Sequence, residues 1–495
     1  MGDIGANALK DCKFIRSITL SHGLTEIGKD AFRNCINLEI VVIPETITKI
    51  GDYAFACSGL KSIILPDGRL TEIGNSAFHY CRNLETAVIP ETITKIGDYA
   101  FAFSGLKSII LPDGQLTEIG EYAFDGCQDL ETIVIPKTVT KIGRGAFAYS
   151  GLKSIELPHG LIEIEGFSFY DCKKLETVVM SETIAKIGPE AFAWSRLKSI
   201  NLPHGLTEIG EEAFYGCYIE TMTIPETVTK IGLSAFAYSR LRSIILPNGL
   251  TEIGEKSFYK CFIESVVIPE TVRKIGHDAF SCSGLKSIIL PDGLIEIGER
   301  AFDHCHNLEI MNIPETVTKI GSGTFADSEL KSITLPHGLT EIGDYTFFHC
   351  HNLEIVAIPE TVTKIGRYAF TGSGLKSITL LDGRLTEIGE EAFYNCRNLE
   401  TVVIPETVTK IGPGAFAYSG LKSITLLDGW LTEIGDYTFH WCSDLKAVVI
   451  PKNVTKIGTA AFAYSGLKSI ILPDGVEIGE DAFYYCRNLA VEYRN

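Results

Sequence analysis

Residues 405–426 read PETVTKIGPGAFAYSGLKSITL, and residues 359–380 repeat them closely as PETVTKIGRYAFTGSGLKSITL. Looser copies begin at Pro314 and Pro225. Aligning the Ile-Gly position of each copy, from Ile4 and Ile27 through Ile411 to Ile478, divides the chain of 495 residues into 22 units of 21 to 23 residues. Repetition on this period predicts stacked coils, because one unit is too short to bury its own apolar side and must lay it on the next.

Two versions of the unit alternate. One reads LTEIGxxAFxxCxNLExVVIPET, as from Leu385, and the other VTKIGxxAFAxSGLKSIxLPxG, as from Val408. The segment L-x-x-I/V-x-I/L alternates with period two and is rich in β-branched residues, which predicts a strand with one buried face. Pro follows at once, and since it cannot continue a ladder, the P-E-T and P-x-G groups end the strand and bend the chain. The piece xxAFxx[C/S] after Ile-Gly is too short for a full helix and is read as one helical or 3₁₀ turn. Phe stands five residues after the Ile in 21 of the 22 units, from Phe32 to Phe483, a column read as core. The Gly after Ile has one exception, Glu165 followed by Gly166, so a strict need for positive φ there is doubtful, unless the turn shifts by one residue.

The strand follows the leucine-rich repeat template, with Thr407 and Gly429 where that template has Asn or Cys. The combination I-P-x-x-V-T-x-I-G-x-x-A-F-x-x-C-x-x-L, carried by essentially the whole chain, resembles the BspA-type branch of leucine-rich repeat proteins. The resemblance implies a single leucine-rich repeat solenoid over residues 1–495, with a parallel β-sheet on a concave face and short helical or 3₁₀ turns on the convex side. It also implies a non-enzymatic, monomeric adhesion protein at the cell surface or secreted, contacting host matrix or cell-surface proteins. The opening MGDIGANALKDC lacks a basic segment followed by an apolar one. The chain starts mid-unit and stops mid-strand in NLAVEYRN, which leads us to expect a piece of a longer array. An intracellular, cytoplasmic interaction scaffold of the same fold is the alternative.

Charge narrows the partners. A formal net charge of -18 argues against nucleic acid, which needs clustered Lys and Arg. Apolar runs such as Ile63-Ile64-Leu65 fall far short of the roughly 20 residues of a membrane span. In L-x-x-I-x-I the third and fifth residues are expected to face outward, with the second at the sheet edge. That second column alternates in sign, through Lys61, Glu85, Lys107 and Glu131 to Lys376, Glu400 and Lys422, and so does the residue before Ile-Gly, from Glu26 and Lys49 to Lys456 and Glu477. Slipping one coil sets like against like while slipping two does not, so the physical unit is a pair of coils, about 45 residues.

Lys446 breaks the rule, leaving Lys422, Lys446 and Lys468 in a row. The candidate binding strip on the strand face is therefore Lys376, Thr379, Glu400, Val403, Lys422, Thr425, Lys446, Val449 and Lys468. Units differ most in the two residues after Ile-Gly and around the Phe, as at Trp194, Trp441 and Tyr368, which makes that rim the other candidate surface.

Of the fourteen Cys, those from Cys35 onward recur once per coil pair, about 9–10 Å apart and beyond the ~7 Å reach of a disulfide. No disulfide is expected from these; only Cys12 and Cys35 occupy adjacent coils. Cys57 and Cys282 lie one position early and are the expected exposed thiols. The runs His304-Cys305-His306 and His349-Cys350-His351 resemble metal ligands, but flanking residues in so short a turn diverge and the runs are two coils apart, so no metal is expected on them. We find no nucleophile with a base, no paired carboxylates in a pocket and no phosphate-cradling loop, so neither enzyme activity nor a cofactor is expected.

Overall fold

Each coil is built from an extended segment whose alternation leaves one side apolar. In Ser62–Ile64 the central Ile63 is buried and its neighbours are exposed, and this order recurs in Ser154–Glu156, Thr221–Thr223, Ser332–Thr334 and Thr401–Ile404. Pairing is parallel and in register, Ser62 with Thr86, Ile63 with Ala87 and Ile64 with Val88. The third and fifth residues of the strand motif therefore face outward, as the alternation predicts.

A second strand of two residues forms where Glu or Lys precedes the Ile of Ile-Gly. Lys49–Ile50 pairs in parallel with Glu72–Ile73 on one side and with Glu26 and Ile27 on the other. Two residues are too few to show alternation, which is why the sequence hides this strand. The computed structural model describes residues 2–380 and 383–494. They fall into two compact units, Met1–Gly249 and Leu250–Asn495. Both are parallel β-solenoids, and the described coils number 22 across the chain.

The Phe column runs through each unit as a ladder of buried rings. In the first unit Phe32, Phe55, Phe78 and Phe101 stack at centroid distances of 5.1, 5.4 and 5.1 Å, nearly parallel. In the second, Phe370, Phe393 and Phe416 stack at 5.3 and 5.1 Å. The spacing is one coil, so each ring buries both faces against its neighbours and contributes to cohesion at every step.

The arm that carries this Phe corrects the expectation of helical or 3₁₀ turns on the convex side: the described residues form no helix of either kind. In every coil the third and seventh residues after the Ile adopt left-handed φ, for example Tyr53 at 58° and Cys57 at 57°. These residues turn alternate amides out of the coil. Tyr53, Phe55 and Cys57 donate to the carbonyls of Asn75, Ala77 and His79 in the next coil at 2.9, 2.8 and 2.8 Å, while Ala54 and Ala56 bond back within their own coil. A helix would spend every N–H inside one coil; here half of them tie the coils together.

The Gly after Ile is needed for proximity rather than for positive φ. A Cβ on Gly74 would lie 2.6 Å from the carbonyl carbon of Gly51, and one on Gly366 would lie 2.6 Å from the amide nitrogen of Asp344. At the exception the turn does not shift, because Phe167, third after Ile164, keeps φ at 61°.

The short-strand ladder is interrupted within the units after Ile142, Ile320 and Ile411. Each interruption precedes a coil in which the usual buried Ala is Ser168, Thr346 or Thr438, whose hydroxyl donates to the carbonyl of Glu165, Gly343 or Gly435 at 2.7, 2.8 and 2.8 Å. The added bulk holds the coils apart. A Cβ on Gly343 would meet the preceding coil's backbone only at 3.4 Å, against 2.6 Å at Gly366. Thr324 keeps its ladder intact because its hydroxyl also reaches Gly298 O of the preceding coil, at 3.1 Å.

Candidate binding surface

The pair of coils expected from the charges is a bonded unit. On the edge of the longer strands, where the signs alternate, Lys reaches back one coil to Glu: Lys61 to Glu39 at 2.6 Å, Lys153 to Glu131 at 2.6 Å, Lys376 to Glu354 at 2.8 Å and Lys422 to Glu400 at 2.6 Å. Beside the short strands a Glu is shared instead by the Lys of the coils on either side, in separate groups of three. Glu208 lies between Lys186 and Lys230 at 3.6 and 2.9 Å, and Glu296 between Lys274 and Lys319 at 3.8 and 2.9 Å. The hydrogen bond from Lys230 holds the Glu208 carboxyl below its ordinary range. Each exposed pair contributes only about 0.2–1 kcal/mol, so its larger effect is on register.

The bends alternate to match. Thr92 of a P-E-T group donates its hydroxyl to Leu70 O in the coil before it at 2.6 Å, and Thr407 donates to Leu385 O at 2.7 Å. Gly114 of a P-x-G group has room for no Cβ, which would lie 2.5 Å from Glu91 O of the preceding P-E-T. Inside, Ser and Cys alternate in the same rhythm. Cys127 Sγ donates to Phe101 O at 3.2 Å and contacts Ser104 Oγ at 3.4 Å, and burial pushes its thiol up to about 12. Thiols at that value are not nucleophiles at neutral pH, so this row is packing. Cys57 and Cys282 are half-buried at the left-handed seventh position.

The predicted strip falls on consecutive strands of the second unit. Thr379 lies on Ser377–Leu380, Val403 on Thr401–Ile404, Thr425 on Ser423–Leu426 and Val449 on Ala447–Val449, all exposed. Val403 pairs with Thr425 across the ladder. Glu400 is taken by Lys422 and Lys376 by Glu354, whereas Lys446 donates to Ser443 O at 3.0 Å and Lys468 to Arg487 O at 3.3 Å. Among the described residues neither ammonium has a carboxylate within 4.0 Å. The strip thus ends in two cations held only by carbonyls.

The rim has a regularity the sequence concealed. Tyr418, Trp441, Tyr464 and Tyr485, seventh residues of successive coils, stack nearly parallel at 6.1, 4.8 and 5.0 Å. The inner two, Trp441 and Tyr464, spend both faces on their neighbours, and Arg487 lies over the ring of Tyr485 at 5.6 Å. The glycines that stand in these left-handed rows, Gly126, Gly216 and Gly372 at the seventh position and Gly145, Gly323 and Gly414 at the third, were the signal available. The two His-Cys-His runs do not gather their thiols into a site: Cys305 and Cys350 point inward and donate to Phe280 O and Phe325 O.

Two strands per coil, parallel ladders and a one-Phe-per-coil core define a β-solenoid of the leucine-rich repeat class. The sequence pattern of the BspA type Leucine rich repeat region (6 copies) matches residues 2–131, 117–242, 168–285, 207–329, 273–384, 319–430 and 363–490. The chain belongs to the BspA-type leucine-rich repeat family. Among solved structures it is similar in fold to a leucine-rich repeat protein from Bacteroides ovatus, with 24% identity, a TM-score of 0.53, and 88% of this chain and 92% of that one covered. It also matches a leucine rich cell surface protein from Faecalibacterium prausnitzii at 20% identity and a TM-score of 0.34, over 97% of this chain and 88% of that one. A comparison with curated proteins finds no match. No helix among the described residues is long and apolar enough to cross a membrane.

Proposed function

We propose that this chain is a non-enzymatic binding protein of adhesive type, at the cell surface or secreted, that holds a protein partner on the face of its longer strands. The observation that carries this reading is the shared register: Thr401 with Ser423 and Val403 with Thr425 place like side chains in continuous exposed rows. Such rows present area rather than a pocket, and without Tyr, Trp or Arg anchors they favour many weak contacts summed along the array. Membership of the BspA-type family supports an adhesive role, with host matrix or cell-surface proteins as partners. The unpaired Lys446 and Lys468 add a local attraction for acidic surface.

The test is capture of the purified chain on immobilised matrix proteins, run beside lysate of the source cell. We expect saturable matrix binding that weakens several-fold in Lys446→Glu and in Thr425→Arg, with less salt dependence in the former. Binding unchanged in both variants rejects the strand face. Retention of a lysate protein without matrix binding rejects the adhesive reading in favour of an intracellular scaffold.

A further inference from the structure

The row of seventh residues carries metal-ligating side chains in three consecutive coils of the second unit: His304, Asp327 and His349, all at left-handed φ of 54°, 52° and 54°. Stacking therefore brings them side by side, although they lie far apart in sequence. Asp327 supplies what the two His-Cys-His runs lacked, a ligand in the coil between them.

The arrangement is oriented from both ends. Asp303 Oδ1 accepts a hydrogen bond from His304 Nδ1 at 2.8 Å, which leaves Nε2 of that ring aimed at Asp327 Oδ2, 3.9 Å away. Arg300 does not compete for Asp303, because Asp278 holds it at 2.9 and 3.2 Å. On the other side His349 lays its Cδ2 and Nε2 edge against Gly372, where a Cβ would come within 2.6 Å of the ring, and it stacks on Phe348 at 3.9 Å. Its Nδ1 is thereby turned toward Asp327 Oδ1, at 3.4 Å.

Separations of 3.4 and 3.9 Å are long for hydrogen bonds to a carboxylate. They are close to the spacing of neighbouring ligands around an ion with bonds of about 2.1 Å, whose tetrahedral edge is about 3.4 Å. Ligand atoms of Asp303, His304 and Asp327 all lie within 4.8 Å of one another, and His349 is brought to this group through Asp327 alone. A carboxylate hydrogen-bonded to the far nitrogen of a ligating His is the recurrent outer support of such sites.

We propose that His304 Nε2, the Asp327 carboxylate and His349 Nδ1 bind one divalent transition-metal ion of the zinc class, with Asp303 orienting His304. Two imidazoles and a carboxylate suit Zn²⁺, Co²⁺, Ni²⁺ or Cu²⁺ and disfavour Mg²⁺ and Ca²⁺, which prefer all-oxygen shells. The side chains of His304, Asp327 and His349 are 46, 31 and 40% exposed, so the remaining positions go to water and the affinity is that of a surface site. Cys305 and Cys350 take no part.

The experiment is titration of the full chain with ZnCl₂ by calorimetry and with CoCl₂ by visible absorption. We expect one equivalent bound at micromolar-order dissociation constant and a cobalt spectrum without thiolate charge transfer. Asp327→Ala lowers the affinity at least tenfold and Asp303→Asn by about 10–100-fold, with circular dichroism unchanged, while His306→Ala has no effect. Absence of stoichiometric binding overturns the proposal. So does binding that survives both Asp327→Ala and His304→Gln, since the ion then sits elsewhere.

Discussion

Asp125 stands sixth after its Ile, a place that is Ala in most coils of one version and varies in the other. It is buried in a row where the flanking coils carry Ala102 and Ala148, and its Oδ1 has no hydrogen-bond partner. Burial pushes its carboxyl up to about 6, against about 3.9 for a free Asp. A raised value means that the folded chain holds this proton more tightly than the unfolded one does. The favourable contribution is therefore complete below about pH 4 and lost as pH rises through about 6. Asp125→Ala should stabilise the protein at pH 7.5 by about 1–2 kcal/mol, allowing for partial solvation of the carboxylate, with the gain gone at pH 4. Denaturant unfolding at the two pH values checks this. A gain equal at both would show that the carboxylate's charge is not the cost.

At the scale of the element, the ladder breaks are set by one methyl or hydroxyl group. Thr346 occupies the place of Ala369, Ala392 and Ala415 and turns its hydroxyl onto Gly343 O. In Thr346→Ala the coils should close so that Gly343 N–H finds Ile320 O, as Gly366 N–H finds Ile342 O at 2.8 Å in the next coil. Hydrogen exchange at the Gly343 amide should slow at least tenfold, and an unchanged rate would detach the break from the hydroxyl. The longer strands were legible because alternation over L-x-x-I-x-I is a physical consequence of burying one face, and the strip from Lys376 to Lys468 was placed by that alternation. The turn arm was not. Its left-handed positions hold Tyr twelve times and Gly only six, because inter-coil hydrogen bonds and ring stacking offset the strain of a non-glycine residue there. Asp327 was missed for a related reason: it lies in neither His-Cys-His run, and only stacking brings it between His304 and His349.

For the molecule as a whole, the claim on which the rest depends is that the coils associate as alternating pairs. Three rows share that rhythm, and together they make the two alternating repeat texts: the Lys and Glu edges, the Thr and Gly bends, and the Ser and Cys interior. Stability in such an array is a sum of nearest-neighbour terms, so a change that preserves every neighbour relation costs little and one that replaces them costs at every row. Deleting residues 363–408 joins Val362 to Thr409 and removes one pair, leaving Glu341 beside Lys410 and Cys350 beside Ser419. Deleting residues 363–385 joins Val362 to Thr386 and removes a single coil, setting Glu341 against Glu387, Glu354 against Glu400 and Cys350 against Cys396. Thermal unfolding of the two variants side by side is the most direct test. Paired coils predict a melting temperature within a few degrees of the parent for the pair deletion and a fall of more than about 10 °C for the single deletion, whereas equal values for the two would contradict the account.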